Sequence, residues 1–434
     1  MSDLEWWRRI ARDVQSYHEQ RPANLPGAVF AVETQSDGRL IESVGADWSA
    51  GTICEIGSMS KPFVAAAALL ALEERQMLDV DAPVYRLPGM DAFADDPIKR
   101  QISLRHLLQH TSGLPHFGRY SEWPRTPCND PDGPPPPCAG REPELGPASE
   151  WIGAPALTNE CIFDNGRCRP ARLLDLDRVS AHIMRTYPVT ASPPPGSQYV
   201  YSTVNYVIAA RIVEQLTGRS VNRYIKDTLF TPLDMRDSFF IAQPTGDPAI
   251  DARIDEGVTA EQRARIATLT LITRDGQLPA EMAGGPGGQW DTLRRGWRYV
   301  NPDGGMFSTA PDLLNFLGML RDGGLYRGRR VLSERIVRLL VEDQGHGHTL
   351  GFGFRSQVTP YGQSAGTLEY LGFKMTYFWL DPRPEQPLLG VFLSQRLPNV
   401  SVNTNLNEGL QVIFKVFVSQ VRSAVFSAAA QGAA

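Results

Sequence analysis

Leu4, Trp7, Ile10, Val14 and Tyr17 recur at helical spacing, so residues 3–20 predict an amphipathic helix with one apolar face. Ala28 to Glu33 and Leu40 to Val44 read as two strands behind it. Phe63 to Leu72 is apolar on every side, the mark of a buried helix rather than a surface one, and Pro62 suits its first turn. A second apolar helical run spans Tyr206 to Leu216. Three further strands are expected at Gly351 to Ser356, Lys374 to Leu380 and Leu388 to Ser394. A closing helix then runs from about Asn403 to Val421, with Leu406, Leu410, Ile413, Phe414 and Phe417 as its apolar stripe.

Helices from both chain ends would cover one antiparallel sheet, which predicts an α+β or α/β fold. Residues 1–80 and 300–434 form the sheet domain, residues 81–299 a mostly helical domain, and the site is expected in the cleft between them. Two stretches interrupt this plan. Residues 115–175 are rich in Pro, Gly and Cys and too long for an idle connection. Residues 244–300 carry Gly284-Gly285-Pro286-Gly287-Gly288, which lacks the Gly-Lys-Ser/Thr ending of a phosphate loop, and Trp290, Trp297 and Tyr299, read as pocket lining or as core.

Chemistry concentrates at Ser58-Met59-Ser60-Lys61. The chain has five lysines, and Lys61 stands three residues after a serine, on the same helix face, where its amine can take the hydroxyl proton. Tyr201-Ser202-Thr203 follows the Pro193 to Gly196 turn and precedes the second apolar helix; a tyrosine near a lysine can shuttle protons between nucleophile, leaving group and water. Tyr370-Leu371-Gly372-Phe373 is expected to open an edge strand running through Thr376 to Trp379, whose Phe373 N–H would face a developing oxyanion beside the N–H of Ser58. A rival nucleophile, Ser364 in Gly362-Gln363-Ser364-Ala365-Gly366, fails the needs of a hydrolase elbow: the residues after it read as strand, and no histidine follows His348.

With these motifs in order the chain resembles the class C β-lactamase superfamily of serine hydrolases, which includes penicillin-binding proteins, carboxylesterases of the same fold, amidases and acyltransferases. Ile102 to Leu108 with His110-Thr111-Ser112-Gly113-Leu114, Thr231-Pro232-Leu233-Asp234-Met235, and Gly304 to Leu313 are similar to further stretches of that family. The resemblance implies a β-lactamase/transpeptidase-like fold and Ser58, Lys61 and Tyr201 as the catalytic set. It further implies the N–H groups of Ser58 and Phe373 as oxyanion hole, Thr203, Tyr370 and Gly372 as substrate contacts, and no metal or organic cofactor. Two departures matter. Thr203 replaces an asparagine of the family, and Tyr370 stands where a lysine faces the carboxylate of β-lactams; a phenol cannot replace that charge. The expected reaction is therefore cleavage of an uncharged ester through an acyl-enzyme. Amide-directed hydrolysis (a β-lactamase or D-amino-acid peptidase), acyl transfer, and a non-catalytic binding domain are the alternatives.

Composition narrows the partners. A formal charge of −5 and a pI near 5.9 offer no basic surface for nucleic acid, and no apolar run is long enough to span a membrane. The start, Met1 to Trp7, lacks the regions of a signal peptide, so a cytoplasmic address is the default. Against it stand Cys128, Cys138, Cys161 and Cys168, clustered in one Pro-rich segment, which suit two disulfides in an oxidising compartment or remain free thiols; no C-x-x-C spacing points to zinc. Cys54 reads as a small core residue. His346-Gly347-His348 reads as a loop rather than a metal pair, His110 as a structural hydrogen-bonding group, and Ser60 as a helix cap or a hydroxyl lining the site.

Overall fold

The computed structural model of the chain describes residues 4–22, 24–115, 161–164, 167–170, 175–189, 192–241, 258–273, 276–279, 300–383, 386–397 and 412–432. The strands that position the site are β1 (Ala28–Thr34), β2 (Gly38–Val44), β3 (Cys54–Glu55), β4 (Phe239–Phe240), β5 (Met306–Ser308), β6 (Gly353–Arg355), β7 (Thr367–Gly372), β8 (Thr376–Asp381) and β9 (Leu388–Ser394). The helices are α1 (Glu5–Gln20), α2 (Lys61–Glu74), α3 (Leu104–Leu108), α4 (Val204–Thr217), α5 (Ala310–Arg321) and α6 (Ser419–Gly432). One six-stranded sheet, antiparallel throughout, has the order β6-β7-β8-β9-β1-β2, and a short antiparallel sheet has the order β3-β5-β4, with β5 at its centre.

Alternation along β1 explains why all seven of its residues are buried. Ala28, Phe30 and Val32 face α1 and the Val412–Val418 turn, while Val29 and Ala31 face the larger core that holds α2, α4 and α5. Both chain ends thus cover the same sheet face, as the apolar stripes of α1 and the closing helix predict. Phe417 is the centre of that layer: its ring lies within 5.4–6.4 Å of Trp379, Phe30, Phe392 and Trp7.

Three expectations change. Tyr370 to Phe373 does not open the strand that reaches Trp379; it closes β7, and Phe373-Lys374-Met375 turns the chain into the antiparallel partner β8, with Met375 at φ +58°. The run lacks an Asn-Gly or Asp-Gly turn signal, so two short strands read as one. Nor is β7 a full edge strand, because β6 pairs with Thr367, Leu368 and Glu369; the pairing stops short of Tyr370. The closing helix continues past Val421 to Gly432. Leu406 and Leu410, Cys128 and Cys138, Trp290, Trp297, Tyr299 and the glycine run lie outside the described residues. Cys161 and Cys168 sit on a two-stranded hairpin, where Cys161 is opposite Pro170 and Cys168 opposite Phe163.

Asp312 in the first turn of α5 ties the short sheet to the core. Its carboxylate accepts from the Asp237 N–H at 2.9 Å and the Ser238 hydroxyl at 2.8 Å, and burial, outweighing these bonds, pushes its pKa from 3.8 up to about 7. A carboxyl that titrates higher folded than unfolded binds a proton on folding, so its contribution is full below the unfolded pKa and is lost as pH rises through the folded one.

Two outcomes follow. Phe417→Ala lowers unfolding free energy by about 3–5 kcal/mol in urea titrations. Asp312→Asn keeps an acceptor there and flattens the decline in stability of the native chain between pH 3.8 and about 7, read as the difference between the two pH–stability curves.

Candidate active site

The Ser58 turn is held by backbone on three sides. β3 leads into Gly57–Ser60, a tight 3-10 turn, and α2 starts at Lys61 with Pro62 in its first turn. The Ser60 hydroxyl donates to the Gly57 carbonyl at 2.6 Å and accepts from the Met306 N–H at 3.1 Å, so this side chain fastens the turn to β5. Gly57 has φ +58°, and a Cβ there would stand 3.1 Å from the Phe373 nitrogen, so glycine satisfies both the conformation and the close approach. Gly372 is still more confined. A Cβ on it would fall 2.0 Å from Thr376 Oγ1 and 2.2 Å from the Ile56 carbonyl oxygen, atoms that hydrogen-bond each other at 2.8 Å. Gly372 therefore lets β7 lie flush against Ile56, just before the turn that carries Ser58, a steric role that the sequence motif does not disclose.

On this support the side chains converge. Lys61 Nζ lies 3.0 Å from Ser58 Oγ, and Tyr201 Oη lies 2.8 Å from the same oxygen. Lys61 is fully buried. Its amine donates to the Asp303 carbonyl at 2.6 Å, stands 3.8 Å from the Asp303 carboxylate, and sits over the rings of Tyr201 and Tyr206 at 5.1 and 5.6 Å. Burial raises the Asp303 carboxyl above its ordinary range, opposed by the Lys61 charge.

Tyr201 is aimed by the His110 turn after α3. Val200 N–H donates to the His110 carbonyl at 2.7 Å, Ser202 N–H reaches His110 Nδ1 at 3.1 Å, and the Ser202 hydroxyl donates to the Pro115 carbonyl at 2.9 Å. Thr203 is buried as the residue before α4, and Asn205 one turn on accepts from Ser112 at 2.7 Å. Tyr370 is buried at the end of β7 with its hydroxyl 3.5 Å from His110 Nε2. Tyr199 stacks on His348 at 4.8 Å, and burial brings His348 down to about 4, so that ring is neutral near pH 7. His346 instead meets the Gly196 carbonyl at 3.1 Å, so the two histidines of that loop part company. Ser364 lies in the turn that feeds β7, a strand rather than a helix, and its hydroxyl accepts from Arg383 at 2.5 Å.

Three charged residues of the site were not singled out by motif: Asp303, Glu55 and Lys374. Lys374, next to Phe373, forms a buried ion pair with Glu55, three residues before Ser58, while the Gln395 side chain holds the Glu55 backbone at both N–H and carbonyl. The pair joins the two segments that flank Ser58 and Phe373. The scarcity of lysine was the available signal, since Lys374 is one of only five.

A family model described as Beta-lactamase matches residues 14–412. The chain belongs to the beta-lactamase family. It has the penicillin-binding-protein type of fold, with the antiparallel sheet and flanking helices described above. Among solved structures, the D-amino acid amidase from Ochrobactrum anthropi SV3 superposes with a TM-score of 0.59 at 17% identity, covering 96% of this chain and 99% of that one. EstCE1, "a hydrolase with promiscuous acyltransferase activity", does so with 0.61 at 19% identity over 96% and 99%. A Salmonella enteritidis PT4 protein named "Putative D-alanyl-D-alanine carboxypeptidase" is 26% identical over 230 residues, 47% of this chain and 51% of that protein. The chain thus spans about half the length of the curated relatives it matches. Among the described residues of this family member no helix is long and apolar enough to cross a membrane.

Lys374→Met strands the Glu55 carboxylate in the interior and lowers unfolding free energy by about 3–5 kcal/mol, whereas Lys374→Met with Glu55→Leu recovers most of that loss in the same urea titration.

Proposed function

We propose that the protein hydrolyses uncharged carboxylic esters through an acyl-enzyme on Ser58. The observation that carries this reading is the pair of short contacts on Ser58 Oγ, from Lys61 Nζ at 3.0 Å and Tyr201 Oη at 2.8 Å. Ser58 Oγ attacks the carbonyl carbon as Lys61 takes its proton, and the N–H groups of Ser58 and Phe373 receive the negative oxygen. Collapse breaks the bond to the leaving oxygen, which takes a proton from Tyr201. The Lys61 ammonium then reprotonates Tyr201. In the second half-reaction Tyr201 passes its proton to Lys61, the resulting phenolate takes a proton from water as it attacks the acyl group, and on collapse the Lys61 ammonium returns a proton to Ser58 Oγ, which leaves as the hydroxyl while the acid is released.

The preference for an uncharged ester rests on Tyr370. Its buried phenol, with its pKa pushed well above the ordinary value chiefly by burial, offers no positive charge to a substrate carboxylate. Thr203, buried at the start of α4, supplies no side-chain amide for an acylamido group. A second reading, amide hydrolysis or acyl transfer, is favoured by the amidase and acyltransferase named among the structural neighbours.

Ser58→Ala abolishes turnover of a short-chain nitrophenyl ester, and Tyr201→Phe lowers kcat by about 100- to 10,000-fold. Full turnover by the Ser58 variant would overturn the assignment. Rates on the ester, a cephalosporin and a D-amino-acid amide, with and without an alcohol acceptor, rank ester hydrolysis first if the reading holds.

A further inference from the structure

Around Tyr201 stand two polar side chains, Tyr370 and His110, that the acyl-transfer scheme leaves unused. The Tyr370 hydroxyl lies within hydrogen-bond reach of Tyr201 and 3.5 Å from His110 Nε2. Tyr370 is only 7% exposed and His110 is fully buried, so water does not compete for these atoms. His110 also has φ +58°, a conformation unfavourable for a residue with a Cβ, which its surroundings must maintain. The His110 ring stands 4.5 Å from the ring of Tyr201 and 5.4 Å from that of Tyr206.

A phenol has one proton, so between two partners it donates to one and accepts from the other. His110 decides the direction. Its Nδ1 meets two atoms of Ser202, the N–H at 3.1 Å and the carbonyl oxygen at 3.0 Å, and each suits one tautomer. If Nδ1 accepts the Ser202 N–H, the ring proton sits on Nε2, points at the Tyr370 oxygen, and leaves the Tyr370 proton for Tyr201. If Nδ1 donates to the carbonyl, Nε2 draws the Tyr370 proton away from Tyr201. Burial holds the Tyr370 proton in place at neutral pH.

We propose that His110 and Tyr370 form a hydrogen-bond relay, His110 Nε2–H to Tyr370 Oη–H to Tyr201 Oη, that stabilises the phenolate left when Tyr201 protonates the leaving group. No proton crosses the relay; the two donors share the charge while the reacting proton moves between Tyr201 and the leaving oxygen. Both are positioning residues, and the inference rests on the acyl-enzyme reading above. The titratable and charged groups around Tyr201 are Lys61 from α2 with Asp303 behind it, Tyr199 beside it in sequence, Tyr206 from α4, His110 from the turn after α3, His348 from the loop before β6, and Tyr370 from β7.

Tyr370→Phe removes one hydroxyl without changing the ring. Its kcat falls by about 10- to 100-fold, the loss expected of one hydrogen bond to a charged oxygen. The pH at which kcat reaches half its maximum on the acid side rises by about one unit, with KM within about twofold. Unchanged kcat and pH profile, or a change confined to KM, would overturn the relay and make Tyr370 a substrate contact. Long-range nitrogen–proton NMR of the histidine rings in the native full chain provides a readout without turnover: Nδ1 of His110 is bare and Nε2 protonated, and the opposite tautomer overturns the proposal. Fluorophosphonate labelling of Ser58 separates the two levels. An unlabelled native chain removes the acyl-enzyme reading, whereas a labelled chain with an unaltered Tyr370→Phe profile removes the relay alone.

Discussion

The site depends on a close approach of backbone to backbone. Gly57 lies against the Phe373 nitrogen and Gly372 against the Ile56 carbonyl, so the turn carrying Ser58 and the end of β7 meet without intervening side chains. Any Cβ at Gly372 would drive the two segments apart, because its neighbours are a carbonyl oxygen and a hydroxyl already bonded to each other. This contact sets the separation between the Ser58 and Phe373 N–H groups, and hence what can sit between them. The Ser60 hydroxyl fixes the third side through Gly57 and Met306.

Buried charge reinforces the same junction. The Glu55–Lys374 pair joins the segment before Ser58 to the residue after Phe373, while Lys61 and Asp303 join α2 to the loop before β5. Ions removed from water need partners close by, so each pair holds its segments in one arrangement and penalises any that separates them. Placed beside Ser58, that penalty favours a rigid site over a merely stable one. Aromatic side chains cluster around Tyr201: the His110 ring packs against those of Tyr199, Tyr201 and Tyr206, Tyr199 stacks on His348, and the Tyr370 hydroxyl reaches His110. Ser58 therefore stands between a buried amine and a phenol set in that cluster.

Chain order and local pattern made much of this legible. β1 and β9 were found because their apolar runs sit at the centre of the sheet, and α1 because its stripe matches one buried face. Ser58 and Lys61 were found because they share one helical turn, a geometry that local spacing guarantees. The β7–β8 turn was missed because Phe373-Lys374-Met375 carries no turn signature, and the hairpin is imposed by pairing with β6 and β9 rather than by the turn residues. Lys374 and Glu55 were missed because charged residues in a sequence read as solvated until the partner that buries them is known.

By itself the sequence determined the order of elements, the buried identity of α2, and the approach of the Lys61 amine to the Ser58 hydroxyl, since each depends on residues within one or two turns of one another. The family resemblance named Tyr201, but only tertiary structure brought it to Ser58, 143 residues away, chose the carbonyl that holds Lys61, 242 residues away, and decided which way His110 faces. Periodicity governs a segment's own faces, whereas contacts across such distances are set by how the filled core lets those faces close.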